Sequence, residues 1–357
     1  MTSSQKKFDT DEQVTVPVDV VNTILEYEGS DILPGHAAVS LVSTLFNCRK
    51  TRLRNLLTAS VSGKPNEAKA ILERDPSLRL DKLEEECVIA PTGHKFKNLY
   101  PLQAALSVDD TQMAEMIRSI FVKLNDEKEA DYQYEECQKG WEADQKKWEP
   151  IIEQRKKLEL VVRDGKEDIT STPYPDCIVT VAPGSIVEKE LHEFWRLLDN
   201  TLDEVITAGK KPFNPDLLFE SLQTYNDHFV DYFGNHWEDP RALLYVQKVI
   251  GYEGIQRIMP VNYVQAYRDC LNSTVKKLQN NQPQARVTQF KIYRSELQFY
   301  PLQPRGSAGF NFGLFGGPYL YRQCSIGRNF LPQFFKDYVN QKQQAGKTYT
   351  TAPRLSG

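Results

Sequence analysis

The sequence predicts a mainly α-helical protein: pairs of helices with an inserted β-hairpin, followed by a C-terminal helical domain with a few strands. Three observations support this prediction. The segment Tyr100–Leu106 places a proline before two alanines, which indicates a tight turn leading into a closely packed helix. Apolar residues on both sides of this segment recur at helical spacing. The segments Cys87–Ile89 and His94–Phe96 flank Pro91–Gly93, which indicates a β-hairpin.

The length and composition are those of a globular protein. The 357 residues fit two or three domains, and 40% hydrophobic with 26% charged residues is an ordinary balance. Residues Met1–Asp11 lack the apolar core of a signal peptide, and no apolar run is long enough to span a bilayer. The six cysteines are scattered without metal-ligand spacing, so we expect a reduced cytosolic setting and no cofactor or metal.

The charge is unevenly distributed along the chain. The net charge is only −4, but residues 241–357 carry 16 Lys and Arg against 4 Asp and Glu, and the remainder is acidic. One interpretation is that the two parts attract each other within the molecule. The alternative is that the basic part binds an anionic partner, such as a lipid headgroup or an acidic protein. The basic residues are dispersed, which favours the first interpretation, and we expect no nucleic-acid partner.

The first 50 residues predict a short helical region after a disordered start. Residues 1–13 are polar and are predicted to be disordered. A helix follows Val16–Asp19, with apolar side chains on one side, and Gly29–Asp31 ends it. A second apolar segment covers Ala38–Phe46. Residues 14–50 are therefore interpreted as a region of small helices.

Residues 51–124 predict two helix pairs. Apolar residues line a first helix over Leu53–Val61, and Asn66–Leu72 forms its partner. The second pair covers Leu99–Leu124, and its apolar residues also recur at helical spacing. Two stacked pairs leave both ends of the stack exposed, so the N-terminal helices and the segment after residue 124 are candidate caps.

The interval between the two pairs is longer than in common helix-pair repeats. Gly63 and Asp109 occupy corresponding turns and are 46 residues apart, whereas such repeats usually recur after about 33 residues. The excess maps to Leu83–Lys97, where the hairpin is predicted.

Residues 125–168 predict a charged helix with one apolar seam. Tyr134, Trp141 and Trp148 recur at seven-residue intervals, and Gly140 and Pro150 are expected to interrupt the helix. The seam is short and half polar, which favours a packed helix arm over an intermolecular coiled coil.

Residues 169–340 predict a mostly helical C-terminal domain, and residues 341–357 a disordered tail. Ser185 and Glu188 form a capping box at the start of one helix. A second helix is predicted to begin at Asn214-Pro215, because proline is favoured in the first turn of a helix. Residues 287–300 mix β-branched and aromatic side chains and predict extended structure.

The sequence contains no recognisable catalytic constellation. The five histidines lack zinc-peptidase spacing, and the glycines of residues 306–317 do not complete a dinucleotide-binding pattern. Cys324 lies close to two arginines but has no identifiable histidine base. We therefore predict no catalytic residues. The alternative is an enzyme of unfamiliar type built around Cys324, His228 or His236.

The segment at residues 100–106 resembles the T-P-L-H-x-A turn that opens an ankyrin repeat. The signature residues are Pro101, Leu102, Gln103, Ala104 and Ala105. The resemblance implies that residues 51–124 form two divergent ankyrin-like units. Such units present a binding surface and carry out no chemistry, so the resemblance implies protein recognition.

Three segments are similar to the ankyrin-containing type IV secreted effectors of Legionella and related intracellular bacteria. These segments are Tyr100–Ile117, Val249–Tyr267 and Phe290–Leu302. The resemblance implies a virulence protein that is made in the bacterial cytoplasm and acts in the host-cell cytosol, where it binds a host protein.

Some members of that family carry an F-box, a helical motif that docks on the adaptor subunit of a cullin ubiquitin ligase. Residues 16–25 and 41–46 resemble its opening and its end, with Val, Asp and Phe in place of Leu, Glu and Trp. The resemblance implies that the adaptor contacts are Pro17, Val21, Ile24, Leu25, Val42 and Phe46. The ankyrin-like surface would then hold the protein to be ubiquitinated. The alternative is that these helices only cap the stack, which leaves a plain scaffold without a ubiquitin link.

Overall fold

The computed structural model of the protein describes residues 35–172, 179–228, 239–251, 253–268 and 336–342, with the isolated positions 276, 279–280 and 333. These residues are mainly helical with a few short strands, which confirms the predicted class. The chain divides into two compact units, residues 1–53 and 54–357. The predictions for residues 1–13 and 287–300 and for the first helix of residues 14–50 lie outside the described residues.

The elements are numbered here in chain order. The helices are α1 (Gly35–Val61), α2 (Pro65–Arg74), α3 (Pro101–Ser107), α4 (Thr111–Lys123), α5 (Glu127–Gln145), α6 (Glu149–Asp164), α7 (Ile186–Asp203), α8 (Pro215–His228), α9 (Pro240–Leu244) and α10 (Val261–Arg268). Short 3-10 turns cover Pro76–Leu80, Lys146–Trp148, Lys166–Asp168 and Ile255–Ile258, and a π-helical turn covers Tyr245–Ile250. The strands are β1 (Val88–Ile89), β2 (Lys95–Phe96), β3 (Ile169–Ser171), β4 (Val179–Val181) and β5 (Val205–Ile206).

Helix α1 is continuous where the sequence predicts two separate segments. It runs through the expected boundary at residue 50, because the stretch from Phe46 to Leu53 contains no glycine or proline to stop it. The apolar segment Ala38–Phe46 and the helix of the first predicted pair are therefore parts of one helix.

Both predicted helix pairs are present in residues 54–124, and their turns have the same backbone geometry. Gly63 between α1 and α2 has φ of 67°, and Asp109 between α3 and α4 has φ of 53°. In each turn the next residue donates its N–H to the carbonyl five residues earlier, Lys64 to Ala59 and Asp110 to Ala105. This pattern is the Schellman ending of a helix, for which a left-handed residue is needed.

Helix α3 lies in the middle of this block. All seven of its residues are buried, because α4, α5 and the 3-10 turn Pro76–Leu80 pack around it. Helix α2 packs against α4. The segment after residue 124 therefore covers one side of the stack. It was one of the two candidate caps that the sequence predicted.

The inserted hairpin is present, and it joins a sheet that the sequence did not predict. Strands β1 and β2 pair antiparallel around a turn in which Gly93 donates its N–H to the carbonyl of Ala90 at 2.9 Å. On its other edge β2 pairs in parallel with β5, so that Phe96 faces Ile206 in the register. Both of these side chains are buried. The hairpin therefore ties the helix pairs to the C-terminal region.

The charged helix arm is a pair of helices, and its seam is largely buried. Cys137, Trp148 and Ile151 are at most 3% exposed, which agrees with packing inside the molecule. Gly140 does not interrupt α5, contrary to the prediction; the break falls at the 3-10 turn Lys146–Trp148. Gly140 is instead the point at which the backbone of Gly209 approaches α5.

The arm and the C-terminal domain share one hydrophobic core. Side chains of α6 such as Leu158 and Val162 belong to the same buried cluster as those of α7 to α10 and Tyr338. No packing boundary at residue 168 separates them in the described part of the chain. Strands β3 and β4 pair antiparallel next to α9, and Ser185 caps α7 by accepting the N–H of Glu188.

The predicted tail, residues 341–357, starts inside a helix. Residues 336–342 are helical, and Lys342 is only 6% exposed, so the first two residues of the supposed tail are part of the folded structure.

Candidate functional site

The ankyrin signature residues pack inside the protein. Pro101, Leu102, Gln103, Ala104 and Ala105 are all buried in α3. The Gln103 side chain accepts the N–H of Tyr100 and donates to Glu136 of α5 at 2.9 Å, so it closes the start of α3 and binds the neighbouring helix. A partner protein cannot reach these side chains in the folded structure.

The residues that resemble an F-box are only partly within the described structure. Pro17, Val21, Ile24 and Leu25 lie outside the described residues, and Val42 and Phe46 lie within helix α1. Their role therefore stays a prediction.

The turn between α3 and α4 is held by residues from the C-terminal region, and we call this arrangement the Asp109 cluster. Its members are Asp109, Lys211, Asn262, Tyr263 and Lys342. Lys211 donates to the Asp109 carboxylate at 2.6 Å, and the Tyr263 hydroxyl donates to the other carboxylate oxygen at 3.1 Å. Asn262 and Lys342 both donate to the Asp109 carbonyl. Burial, together with the negative charge of Asp109, raises the pKa of Tyr263 and keeps its proton on the hydroxyl.

A cavity of about 340 Å³ lies beside this cluster. Its apolar and aromatic walls come from α3, α5, α8, α10 and the helix of residues 336–342. The lining residues are Leu106, Asp109, Asp110, Thr111, Tyr134, Gln138, Trp141, Glu142, Gln145, Lys211, Pro215, Tyr263, Val339 and Lys342. Tyr134 and Trp141 meet edge to face, with ring centroids 6.0 Å apart, and the Lys211 ammonium lies 4.5 Å from the centre of the Trp141 ring.

A second group of charged residues surrounds Arg155 in the C-terminal core. Arg155 is 3% exposed and donates to Thr224 at 2.7 Å and to Glu220 at 3.3 Å, and it lies 3.5 Å from Glu159. His228 contacts Glu159 at 3.3 Å. This network binds α6 to α8.

The residues that could carry chemistry are only partly within the described structure. In this part of the chain, no group of His, Cys, Asp and Glu side chains is arranged to hold a metal ion. His228 is not among the residues that line the cavity, and Cys324 and His236 lie outside the described residues. Cys137, at the packed face of α5, is a poor nucleophile because burial raises its pKa to about 12.

The sequence did not reveal the cavity. The sequence placed Trp141 only in the α5 seam and Tyr263 only in a segment of family resemblance, and it gave no signal for Lys211 or Lys342. The lining residues come from five separate stretches of the chain, so no local spacing marks them as a group. A single lysine such as Lys211 or a single tyrosine such as Tyr263 has many ordinary explanations in a sequence.

Comparison with known proteins identifies no family for this chain. No protein-family model, no curated protein and no solved structure matches it. Among the described helices, none combines the length and the apolar character that crossing a membrane requires.

Proposed function

We propose that the protein is a non-enzymatic interaction effector of the ankyrin type, acting in a eukaryotic host cell, where it binds a host protein. One observation carries the proposal: residues 54–124 form two helix–turn–helix units whose turns at Gly63 and Asp109 share the same left-handed geometry and hydrogen bond. Helix α2 packs on α4, so the second helices of the two units are neighbours. Stacked units of this kind are used as rigid binding surfaces.

The partner would contact the exposed end of this block. Leu80, Val122 and Leu124 lie at the ends of two elements and are between 41% and 46% exposed. Arg79 holds these elements together, since it donates to Asp126 at 2.7 Å and its guanidinium lies 5.0 Å from the centre of the Phe121 ring. We call Leu80, Val122 and Leu124 the apolar patch.

The N-terminal residues would supply the second contact. In this proposal, the F-box-like residues dock on the adaptor of a cullin ubiquitin ligase, and the apolar patch holds the protein to be ubiquitinated. A plain scaffold that lacks the adaptor contact is the alternative.

Proximity labelling in host cells tests the patch. The variant Leu80→Asp/Val122→Asp/Leu124→Asp should lose specific host proteins from the labelled set, because three charges replace the apolar contacts. The control is Leu160→Asp/Ile186→Asp, whose side chains are 57% and 61% exposed elsewhere on the molecule. It should label the same proteins as the wild type. Identical sets for all three proteins, at equal expression, would reject the patch as the docking surface.

The same experiment separates the ligase role from a plain scaffold. The change Ile24→Asp should remove the ligase adaptor from the labelled set and leave the patch-dependent proteins in place. If the adaptor is absent with the wild type, or if Ile24→Asp retains it, the N-terminal helices only cap the stack.

A further inference from the structure

Strand β1 lies at an edge of the described sheet. The strand order is β1, β2, β5, so β2 is the central strand and β1 is covered by the ladder on one side only. Ile89 of β1 is 62% exposed, although it is a large apolar residue. The edge of a sheet presents main-chain N–H and C=O groups that can pair with a further strand.

The hydrogen bonds of the sheet show which groups of β1 point outward. Ala90 donates its N–H to the carbonyl of His94 at 2.9 Å, so the main-chain groups of Ala90 point toward β2. Lys97 donates to the carbonyl of Ile206 at 3.0 Å, which shows that alternate residues of β2 point toward β5. Because pairing alternates along an antiparallel ladder, the N–H and C=O of Ile89 point away from β2. We call this side of β1 the open edge; among the described residues, no main-chain group pairs with Ile89 there.

The chain that leads into β1 is acidic. Residues 84–86 are three successive glutamates, and Glu86 pairs with Arg54. The side chains of Glu84 and Glu85 are exposed. These two carboxylates favour a partner that carries a cationic side chain next to the strand.

A second copy of this chain fits the open edge poorly. Its own segment at residues 84–90 contains no Lys or Arg to meet the two carboxylates. Lys95 of the hairpin is part of β2, so β1 separates it from the open edge. The open edge is therefore better suited to a chain of different sequence.

We propose that the open edge binds an extended segment of a partner protein as an added antiparallel strand. The main chain of this segment pairs with the N–H and C=O of Ile89, and one of its apolar β-branched side chains packs on Ile89. A basic side chain further along the segment reaches Glu84 or Glu85. Sheet edges bind peptides in this way, with affinity from main-chain hydrogen bonds and specificity from side chains. The apolar patch consists of other residues, so this inference does not depend on the proposed function.

Titration of the full chain with a synthetic peptide tests the inference. The probe is the acetylated and amidated peptide Thr-Val-Thr-Val-Thr-Lys-Lys, and the readout is the ¹⁵N–¹H spectrum. We expect a saturable shift of the Ile89 amide signal and slower hydrogen exchange there. Exchange at Ala90 should change little, because its N–H is already bonded to His94. No change at Ile89 with millimolar peptide would overturn the inference. Protection of Ile89 that rises with protein concentration alone would also overturn it, since the occupant would then be a second copy.

Two N-methylated peptides test for main-chain pairing. Ile89 exchanges both hydrogen bonds with the residue directly opposite, so the valine that packs on Ile89 must donate its own N–H. Methylation of both valine nitrogens should weaken binding about fivefold, the effect expected for one lost hydrogen bond. Methylation of the nitrogens of the second and third threonines, which point to the other side of the peptide, should leave the affinity unchanged. Equal affinities of the two methylated peptides would contradict a strand-like mode of binding.

A charge reversal tests the acidic segment. Glu84→Lys/Glu85→Lys should bind the peptide about tenfold more weakly, because two attractions become repulsions at an exposed site. The control Glu135→Lys/Glu142→Lys makes the same change at exposed positions of α5 and should bind as the wild type does. Equal weakening in both variants would show a general charge effect and would remove the assigned role of Glu84 and Glu85.

A proline at position 89 tests the protein's own main chain. Ile89→Pro removes the outward N–H and no bond of the hairpin ladder, which is the situation in which strands accept proline. The spectrum of the hairpin should stay that of a folded protein, and peptide binding should be lost. Ile89→Val keeps the N–H and a branched apolar side chain and should retain binding. Wild-type affinity in Ile89→Pro would contradict the inference; if this variant unfolds, the methylated peptides decide the same point on the wild-type protein.

Discussion

His94 is uncharged in the folded protein because it is completely buried in the hairpin. Burial lowers its pKa to about 3, and the positive charge of Lys147 adds to this effect, while Glu204 opposes it. Its Nδ1 lies 2.9 Å from the Thr92 hydroxyl. The ordinary pKa of histidine is about 6.5, so unfolding raises the proton affinity of this side chain.

Stability should therefore decrease as the pH falls below 6.5. The unfolded state takes up a proton at His94 before the folded state does, so the contribution is complete above pH 6.5 and decreases toward pH 3 at about 1.4 kcal/mol per pH unit. Urea unfolding at pH 7.5 and 5.5 should show that His94→Gln removes about 1.4 kcal/mol of the loss seen in the wild type. The surface variant His192→Gln should keep the wild-type dependence. An unchanged slope in His94→Gln would contradict the assignment.

The sequence predicted the hairpin but not the state of its histidine. The segments Cys87–Ile89 and His94–Phe96 around Pro91–Gly93 were sufficient to predict two paired strands. The pKa of His94 depends in part on the charges of Lys147 and Glu204, which are distant in sequence. The local sequence pattern around His94 contains no information about residues that are so distant along the chain.

At the scale of elements, the crossing of α5 and the loop at Gly209 depends on two glycines. A Cβ atom at Gly140 would lie 2.6 Å from the Gly209 Cα, and Gly209 has φ of 82°. Gly140 therefore needs to lack a side chain because the two backbones are so close. Gly209 needs to be glycine for the same reason and also because of its positive φ.

Gly140→Ala should destabilise the protein, although alanine favours helices. In an isolated helix the change would stabilise by about 1 kcal/mol, but the clash with backbone atoms should cost about 1–3 kcal/mol and give a net loss. Denaturant unfolding measures this difference. Lys139→Ala, at the exposed neighbouring position of the same helix, should stay within about 0.5 kcal/mol of the wild type. A gain of stability in Gly140→Ala would show that the two segments separate easily.

The sequence predicted the starts of elements better than their interruptions. Ser185 and the proline after Asn214 begin α7 and α8 as expected, because capping and proline act on the next few residues. The break at Gly140 was wrong, since a glycine in a helix can also mark a close approach of two backbones. The π-helical turn Tyr245–Ile250 had no signal in the sequence, because tertiary packing determines it.

At the scale of residues 54–357, the Asp109 cluster connects parts of the chain that are distant in sequence. Asn262 is 2% exposed and donates to the carbonyls of Val108 and Asp109 at 3.2 and 2.9 Å. The Tyr338 hydroxyl donates to the carbonyl of Asn262 at 3.1 Å. The turn of the second helix pair is therefore part of the C-terminal core.

Loss of the Asn262 hydrogen bonds should destabilise both the turn at Asp109 and the C-terminal core around residue 262. Asn262→Ala removes the side-chain donor of the buried Val108 carbonyl and one of the donors of the Asp109 carbonyl, so we expect a loss of about 1–3 kcal/mol. Hydrogen exchange should become faster at the amides of Asp109 and Asp110 as well as around residue 262. Asn200→Ala, on the exposed surface of α7, is the control and should change neither quantity. Faster exchange confined to α10 would show that the turn does not depend on Asn262.

The neighbours of the helix arm were not predictable from the sequence. The charge and the seam of residues 125–168 indicated a packed helix arm, and Trp148, Leu158 and Val162 lie in the same core as α7 to α10. Periodicity identifies the apolar face of a helix and does not identify its neighbour. For the same reason, the helix pairs were predictable and the cavity between distant segments was not.

The parallel pairing of β2 with β5 has a consequence for biosynthesis. Lys95 and its strand partner Val205 are more than one hundred residues apart, so the edge of the hairpin stays open on the nascent chain until the ribosome has released the segment after α7. Contacts of such long sequence separation form slowly, and an unpaired strand edge invites association with other chains. The helix pairs and the hairpin are thus synthesised early, but the sheet that includes β2 is completed only after β5 has been synthesised. A chaperone that shields the open edge of β2 would assist folding during translation.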